Sequence, residues 1–209
     1  MLIEHLGKQP QVAETAYIAP TATLCGAVIV GEGCRVLFGA VLVAEGGSVV
    51  LGKSCIIMEN TVIRGTTRHP TMLSDHVLVG PHAYLSGCTV ESNVFLAAGS
   101  TVFNGAVIGS RTVVRVNGVV HIKTVLPADS IVPIGWVAIG DPVAILPPNE
   151  HEKIWTIQEP LNFPRTVFGL ERPPVGDTNM PELTRRYGHY LGQHRNDRIL
   201  DTGEPDELD

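Results

Sequence analysis

Residues 90–120 read VESNVFLAAGSTVFNGAVIGSRTVVRVNGVV, and Val90, Leu96, Val102, Ile108, Val114 and Val120 fall at every sixth place. The fifth place of each unit is small or β-branched, as at Val94, Ser100, Ala106 and Thr112. A helix repeats its buried stripe at about 3.6 residues and a strand at about 2, so neither produces this period. Units this short cannot bury their own openers, but stacked as strand plus corner in a parallel β-helix they do. The competing arrangement, an antiparallel sandwich, spaces its strands at roughly 8 to 12 residues.

The pattern extends upstream through Ile18, Leu24, Val30, Val36 and Leu42, then Leu51, Ile57 and Ile63, then Leu73, Val79 and Leu85. Insertions at 47–50 and 69–72 interrupt it, and the unit opened by Leu85 is one residue short. Insertions in a solenoid bulge from corners and mark its working face. Glycines such as Gly39 and Gly99 suit tight corners, where positive φ is cheap only for glycine. With three units per turn, Leu24, Leu42, Ile63, Leu85, Val102 and Val120 stack, and their followers form a column of Cys25, Val43, Arg64, Ser86, Phe103 and His121. A second column follows Val36 through Leu37, Met58, Gly80, Ala97 and Arg115, with Glu59, Pro81 and His82 at its corner. Polar side chains planted in an apolar lattice are the informative ones. Arg64, Glu59, His82, Ser86, Asn104, Arg115, Asn117 and His121 are therefore the candidate site residues.

Past Val125 the repeat is expected to decay, with 135–142 as a last irregular coil. Pro147-Pro148-Asn149 ahead of Glu150-His151-Glu152 predicts a helix capped by Asn149 and running to about Gln158. Residues 163–177, with Pro164, Pro173 and Pro174, read as a linker. A second helix opens at Pro181-Glu182 with Leu183, Tyr187 and Leu191 on one stripe. The division is a coil over 1–146, its first 17 residues a strand or cap, and a helical extension over 147–209 ending in a flexible acidic tail.

Of the 209 residues only 17% are charged and the net charge is −6, so no basic field exists for nucleic acid or an anionic membrane. The first residues lack a positively charged start followed by an apolar run, and no window reaches 18 apolar residues, so a cytoplasmic protein is expected. Cys25, Cys34, Cys55 and Cys88 show no CxxC spacing and read as small buried thiols of a reducing compartment, with Cys34 and Cys55 near one another.

From about Ile18 to Leu146 the chain resembles the γ-class carbonic anhydrase branch of the hexapeptide-repeat superfamily. The resemblance rests on Gly39-Ala40-Val41-Leu42, on Leu51-Gly52-Lys53 leading to Glu59-Asn60-Thr61-Val62-Ile63, and on His69-Pro70-Thr71. Val79-Gly80, the short unit at Leu85-Ser86-Gly87-Cys88-Thr89 and Gly140-Asp141-Pro142 complete it. It implies a left-handed parallel β-helix, an exception to right-handed crossovers, with a C-terminal helix alongside. It also implies a homotrimer with sites between subunits and a zinc ion held by three histidines. Those three places carry Arg64, Ser86 and Pro81 here, while the branch's Arg-Gly-Asp and Gln-Asp stand as Val43-Ala44-Glu45 and Met58-Glu59. His69, His82 and His121 are the spare imidazoles, displaced from the expected places. No metal and no cofactor are therefore expected, and Glu45 joins the candidates as a retained acid.

Three functions stay open on these residues. A metal-free inter-subunit pocket could bind or transform a small anion such as a carboxylate, anchored by Arg64. His82 or Glu59 would then transfer protons in a lyase, hydratase or transferase-like step, and Ser86, Glu45, Asn104, Arg115, Asn117 and His121 would shape the site. An ion pair of Arg64 with Glu45 or Glu59 across the subunit interface is the plain alternative for that arginine. A silent trimeric scaffold is the second function, and acyl transfer from coenzyme A with His82 as the base is the third.

Overall fold

The computed structural model describes residues 1–200, so the acidic end expected to be flexible lies outside the described residues. The chain winds as an all-β, left-handed parallel β-helix with three faces. On the first face Leu24, Leu42, Ile63, Leu85, Val102, Val120 and Ala138 are successive parallel partners. The second stacks Val30, Leu51, Leu73, Val90, Ile108 and Leu126. The third stacks Ile18, Val36, Ile57, Val79, Leu96, Val114 and Val132. Apart from Ile18, at the open end, all these openers are buried. Each one fully removed from water is worth about 1.5–3 kcal/mol, which is what makes a coil of two-residue strands hold. Leu126, Val132 and Ala138 continue the six-residue period, so the repeat does not decay after Val125: the aliphatic places persist where prolines obscure them.

The corners use two devices. Gly39 turns with φ +70°, and one coil on Asn60 does so at +57°, as His82 does at +58°. Gly80 and Gly109 have no positive φ, but a Cβ there would lie 2.6 and 2.4 Å from backbone nitrogen of the next coil. Both insertions and the short unit fall at one corner, between the first and second faces. Val41–Leu51 runs unbroken around it, pairing with Val62–Thr66 and then Thr71–Leu73, with a register slip at Glu45/Gly46. Thr66 and His69 close a tight loop by reciprocal backbone bonds of 2.9 and 3.1 Å. Cys55 donates its backbone N–H toward Cys34 Sγ at 3.4 Å, so the two cysteines are the neighbours their spacing implied.

The amino-terminal strand Leu2–Glu4 caps the first coil, pairing with Leu24 and Cys25. Beyond the coil, α1 covers His151–Gln158 and α2 covers Met180–Leu191. Glu150, not Asn149, is the residue before α1, because a turn from Glu150 N–H to Pro147 carbonyl leaves Asn149 outside the helix. The linker reading of 163–177 is corrected too. Pro164–Phe168 is a helical turn that starts on a proline, where no N–H is needed, and Phe163 before it and Phe168 at its end have aromatic partners to pack on. Arg198–Leu200 returns antiparallel to Leu2–Glu4, bringing the two ends of the described chain together.

Candidate functional site

The extension folds back over the corner that carries the insertions, and a pocket of about 460 Å³ lies beneath it. From the coil come Glu45, Arg64, Tyr84, Ser86, Phe103 and Asn104, with Thr66, Thr67, Arg68 and His69 from the inserted loop. From the extension come Phe163, Thr166, Val167, Phe168 and Leu170, then Leu183, Arg186, Tyr187 and Tyr190 on one side of α2. The aromatic rings run in an unbroken series, Tyr84 to Phe103 to Phe163 to Phe168 to Tyr187 to Tyr190, with centroids 6.0 to 6.4 Å apart. Such spacing is the preferred edge-to-face and offset range for aromatic pairs.

Local pairing sets the position of the charged group. Ser86 sits beside Arg64 in parallel register, and Thr71 ties the two strands by donating to the Arg64 carbonyl and accepting from Gly87 N–H. Arg64 Nη2 bridges to the carboxylate of Glu45, which is 4% exposed, and donates to the Tyr187 hydroxyl at 3.0 Å. Tyr190 donates its hydroxyl to the Glu45 carbonyl. Arg64 Nη1 and Nε make no hydrogen bond among the described residues. Burial pushes the Tyr187 and Tyr190 phenols up, partly opposed by the Arg64 charge at Tyr187 and by the Thr67 hydrogen bond and the Arg64 charge at Tyr190, so both stay neutral. Desolvation, then the charges of Lys123 and Arg68, holds His69 below its ordinary value, and desolvation alone does so for His121. At neutral pH the pocket thus has neutral imidazoles and fixed guanidinium charge.

Four residues singled out from sequence meet here: Arg64, Glu45, Ser86 and Asn104. His121 lies just behind, buried against Phe103 and Phe163 with its Nδ1 unpaired among the described residues. Glu59, His82, Arg115 and Asn117 sit on the corner after the third face, and none lines the pocket of its own chain. His82 there donates its backbone N–H to the Glu59 carbonyl at 3.0 Å. The plain reading of Arg64 is realised with Glu45, but within one chain. Sequence reading missed the roof, whose readable sign was Tyr187 and Tyr190 on one side of α2 beside Leu183.

No family model matches the chain. It is 30% identical over 208 residues to gamma carbonic anhydrase 1, mitochondrial, of Arabidopsis thaliana, covering 95% of this chain and 74% of that one. The chain belongs to the gamma carbonic anhydrase family. A carbonic anhydrase of Geobacillus kaustophilus strain HTA426 is 28% identical over 109 residues, 52% of this chain and 60% of that one. The solved structure of UDP-N-acetylglucosamine O-acyltransferase from Moraxella catarrhalis aligns over 91% of this chain and 94% of that one, at 15% identity and TM-score 0.48. Among the described residues, no group of three or more His, Cys, Asp or Glu side chains close enough to share an ion lies at the pocket. Arg64 is a permanent cation without a lone pair, and the neutral Ser86 hydroxyl is a poor ligand.

Proposed function

We propose that this chain binds a small organic anion in the aromatic pocket, without metal chemistry there, as part of a homotrimer. The observation that carries the reading is Arg64. Its Nη2 is spent on Glu45 and Tyr187, while its other nitrogens have no partner among the described residues, inside walls built from six aromatic rings. Arg68 and Arg186 add positive charge to the lining, against the buried Glu45. A carboxylate with a flat or apolar body matches that mix: the guanidinium fork takes the acid and the rings take the body. The unbridged Cys34 and Cys55, side by side, support a cytoplasmic reading.

A thermal-shift and calorimetric screen of aromatic and acyl carboxylates, acyl-coenzyme A species and inorganic phosphate tests this. A ligand at 100 times its dissociation constant adds about 2.7 kcal/mol of stability. Carboxylates with apolar bodies are expected to bind and Arg64→Met to abolish binding; binding unchanged in that variant defeats the reading. The relatives' name raises hydration of carbon dioxide as a comparison reaction. Hydration needs a metal-bound water with an open coordination position, so a stopped-flow assay is expected to show only the buffer rate.

A further inference from the structure

Cys25 stands in the same outward column as Arg64, with Val43 between them, at the amino-terminal end of the coil. Around it the fold gathers His5, His194 and Asp197, and the four donor atoms lie within 4.8 Å of one another. His5 belongs to a turn held by two 3.0 Å backbone bonds with Lys8, and Asp197 donates its N–H to the His194 carbonyl. Cys25 and His5 are 3% and 4% exposed. Asp197 Oδ1 lies 2.6 Å from His5 Nδ1, its Oδ2 lies 2.7 Å from His194 Nδ1, and Cys25 Sγ is 3.6 Å from Oδ2.

We propose that His5, Cys25, His194 and Asp197 bind one zinc ion, at a place separate from the aromatic pocket. One sulfur, two imidazole nitrogens and one carboxylate oxygen are the ligand types that zinc takes, and four protein ligands make a closed, structural site. Tetrahedral bonds of about 2.0 to 2.3 Å set donors about 3.3 to 3.8 Å apart. The two short contacts to Asp197 open and the widest pair closes by about 1 Å, and the His5 and His194 rings, stacked at 4.2 Å between centroids with 20° between their planes, turn apart so that both Nδ1 lone pairs meet at one point. On binding, the Cys25 thiol gives its proton to solvent as the sulfur–zinc bond forms, and both imidazoles bind as neutral Nδ1 donors. Asp197 exchanges its hydrogen bonds for a metal bond. Thiolate and carboxylate together balance the dication, in a cluster where, among the described residues, no Lys or Arg side chain hydrogen-bonds to Asp197. The donors come from the amino-terminal turn at His5, from the first coil at Cys25 and from the segment after α2, so the ion clamps the roof-bearing extension to the start of the coil. The spare imidazoles weighed from sequence, His69, His82 and His121, form no such cluster among the described residues.

The test is elemental analysis of the full chain purified with zinc present, followed by cobalt substitution. About one zinc per chain is expected, with a thiolate-to-cobalt charge-transfer band and the intense visible bands of a tetrahedral ion. Loss of an outer partner of a zinc ligand costs about 10- to 100-fold in affinity, so loss of a ligand should cost more than about 100-fold. Cys25→Ser should show that loss and erase the charge-transfer band. His194→Gln, at a more exposed position, should show the same loss while circular dichroism confirms the fold. A metal-free wild type, or zinc retained undiminished in His194→Gln, overturns the proposal and leaves a hydrogen-bonded latch. Zinc lost from His69→Gln or His121→Gln instead assigns the ion to the pocket and overturns it equally.

Discussion

Arg64 and Glu45 occupy the place where burial makes single substitutions expensive. Glu45 is nearly sealed while Arg64 is partly open, so removing the carboxylate strands a guanidinium that water reaches only in part. Glu45→Gln is expected to cost about 1–3 kcal/mol in urea unfolding, since one charge-assisted bond is lost and a partner is left short. His121 and His69 supply the pH dependence. Both are held below 6.5 in the fold, His121 by burial and His69 by burial and neighbouring cations. As pH falls below 6.5 the unfolded chain takes up protons at these positions before the folded chain does, so the fold loses stability. Stability is complete above that pH and declines toward the lowered folded values. His121→Phe, which fits between Phe103 and Phe163, should flatten that decline in urea titrations at stepped pH.

At the scale of elements, the coil was legible because each buried opener is one residue of a fixed period, and stacking needs nothing more. The corner was legible too: insertions and a short unit break the period only where the chain bulges. Gly65 shows how tight that corner is, since a Cβ there would lie 2.1 Å from the Ser48 carbonyl oxygen, backbone that cannot turn aside. Gly65→Ala is expected to destabilise by about 1–3 kcal/mol, the range of overpacking, and to shift the thermal midpoint downward by several degrees. The roof was not legible. Prolines 164, 173 and 174 signal chain breaks, but nothing in local spacing says that Phe163 will meet Phe103 sixty residues earlier. His5 and Asp197 were equally hidden, because only the pairing of Leu2–Glu4 with Arg198–Leu200 brings those distant segments together.

The whole molecule presents apolar side chains on two of its three faces. Along the third face, Tyr17, Ile56, Phe95 and Ile131 point outward in one register stripe, each more than a third exposed. Along the second, Ile29, Met72 and Val125 do the same. Of the two columns read from the sequence, the apolar members Leu37, Met58 and Phe103 are partly buried, Phe103 by Phe163. Two-fold dimers use one self-complementary patch, whereas a closed ring joins two different patches. Two stripes on adjacent faces therefore favour a ring, and a trimer is the expected closure. Light scattering should give a mass near three times the 22.4 kDa of one chain. Phe95→Glu on the third face and Met72→Glu on the second should each yield monomers, because each spoils one half of every contact. Mixed together, the two variants keep one good stripe apiece, so they should form a complex of two chains and stop there. A two-fold dimer predicts otherwise: only one of the substitutions would matter, and mixing would restore nothing.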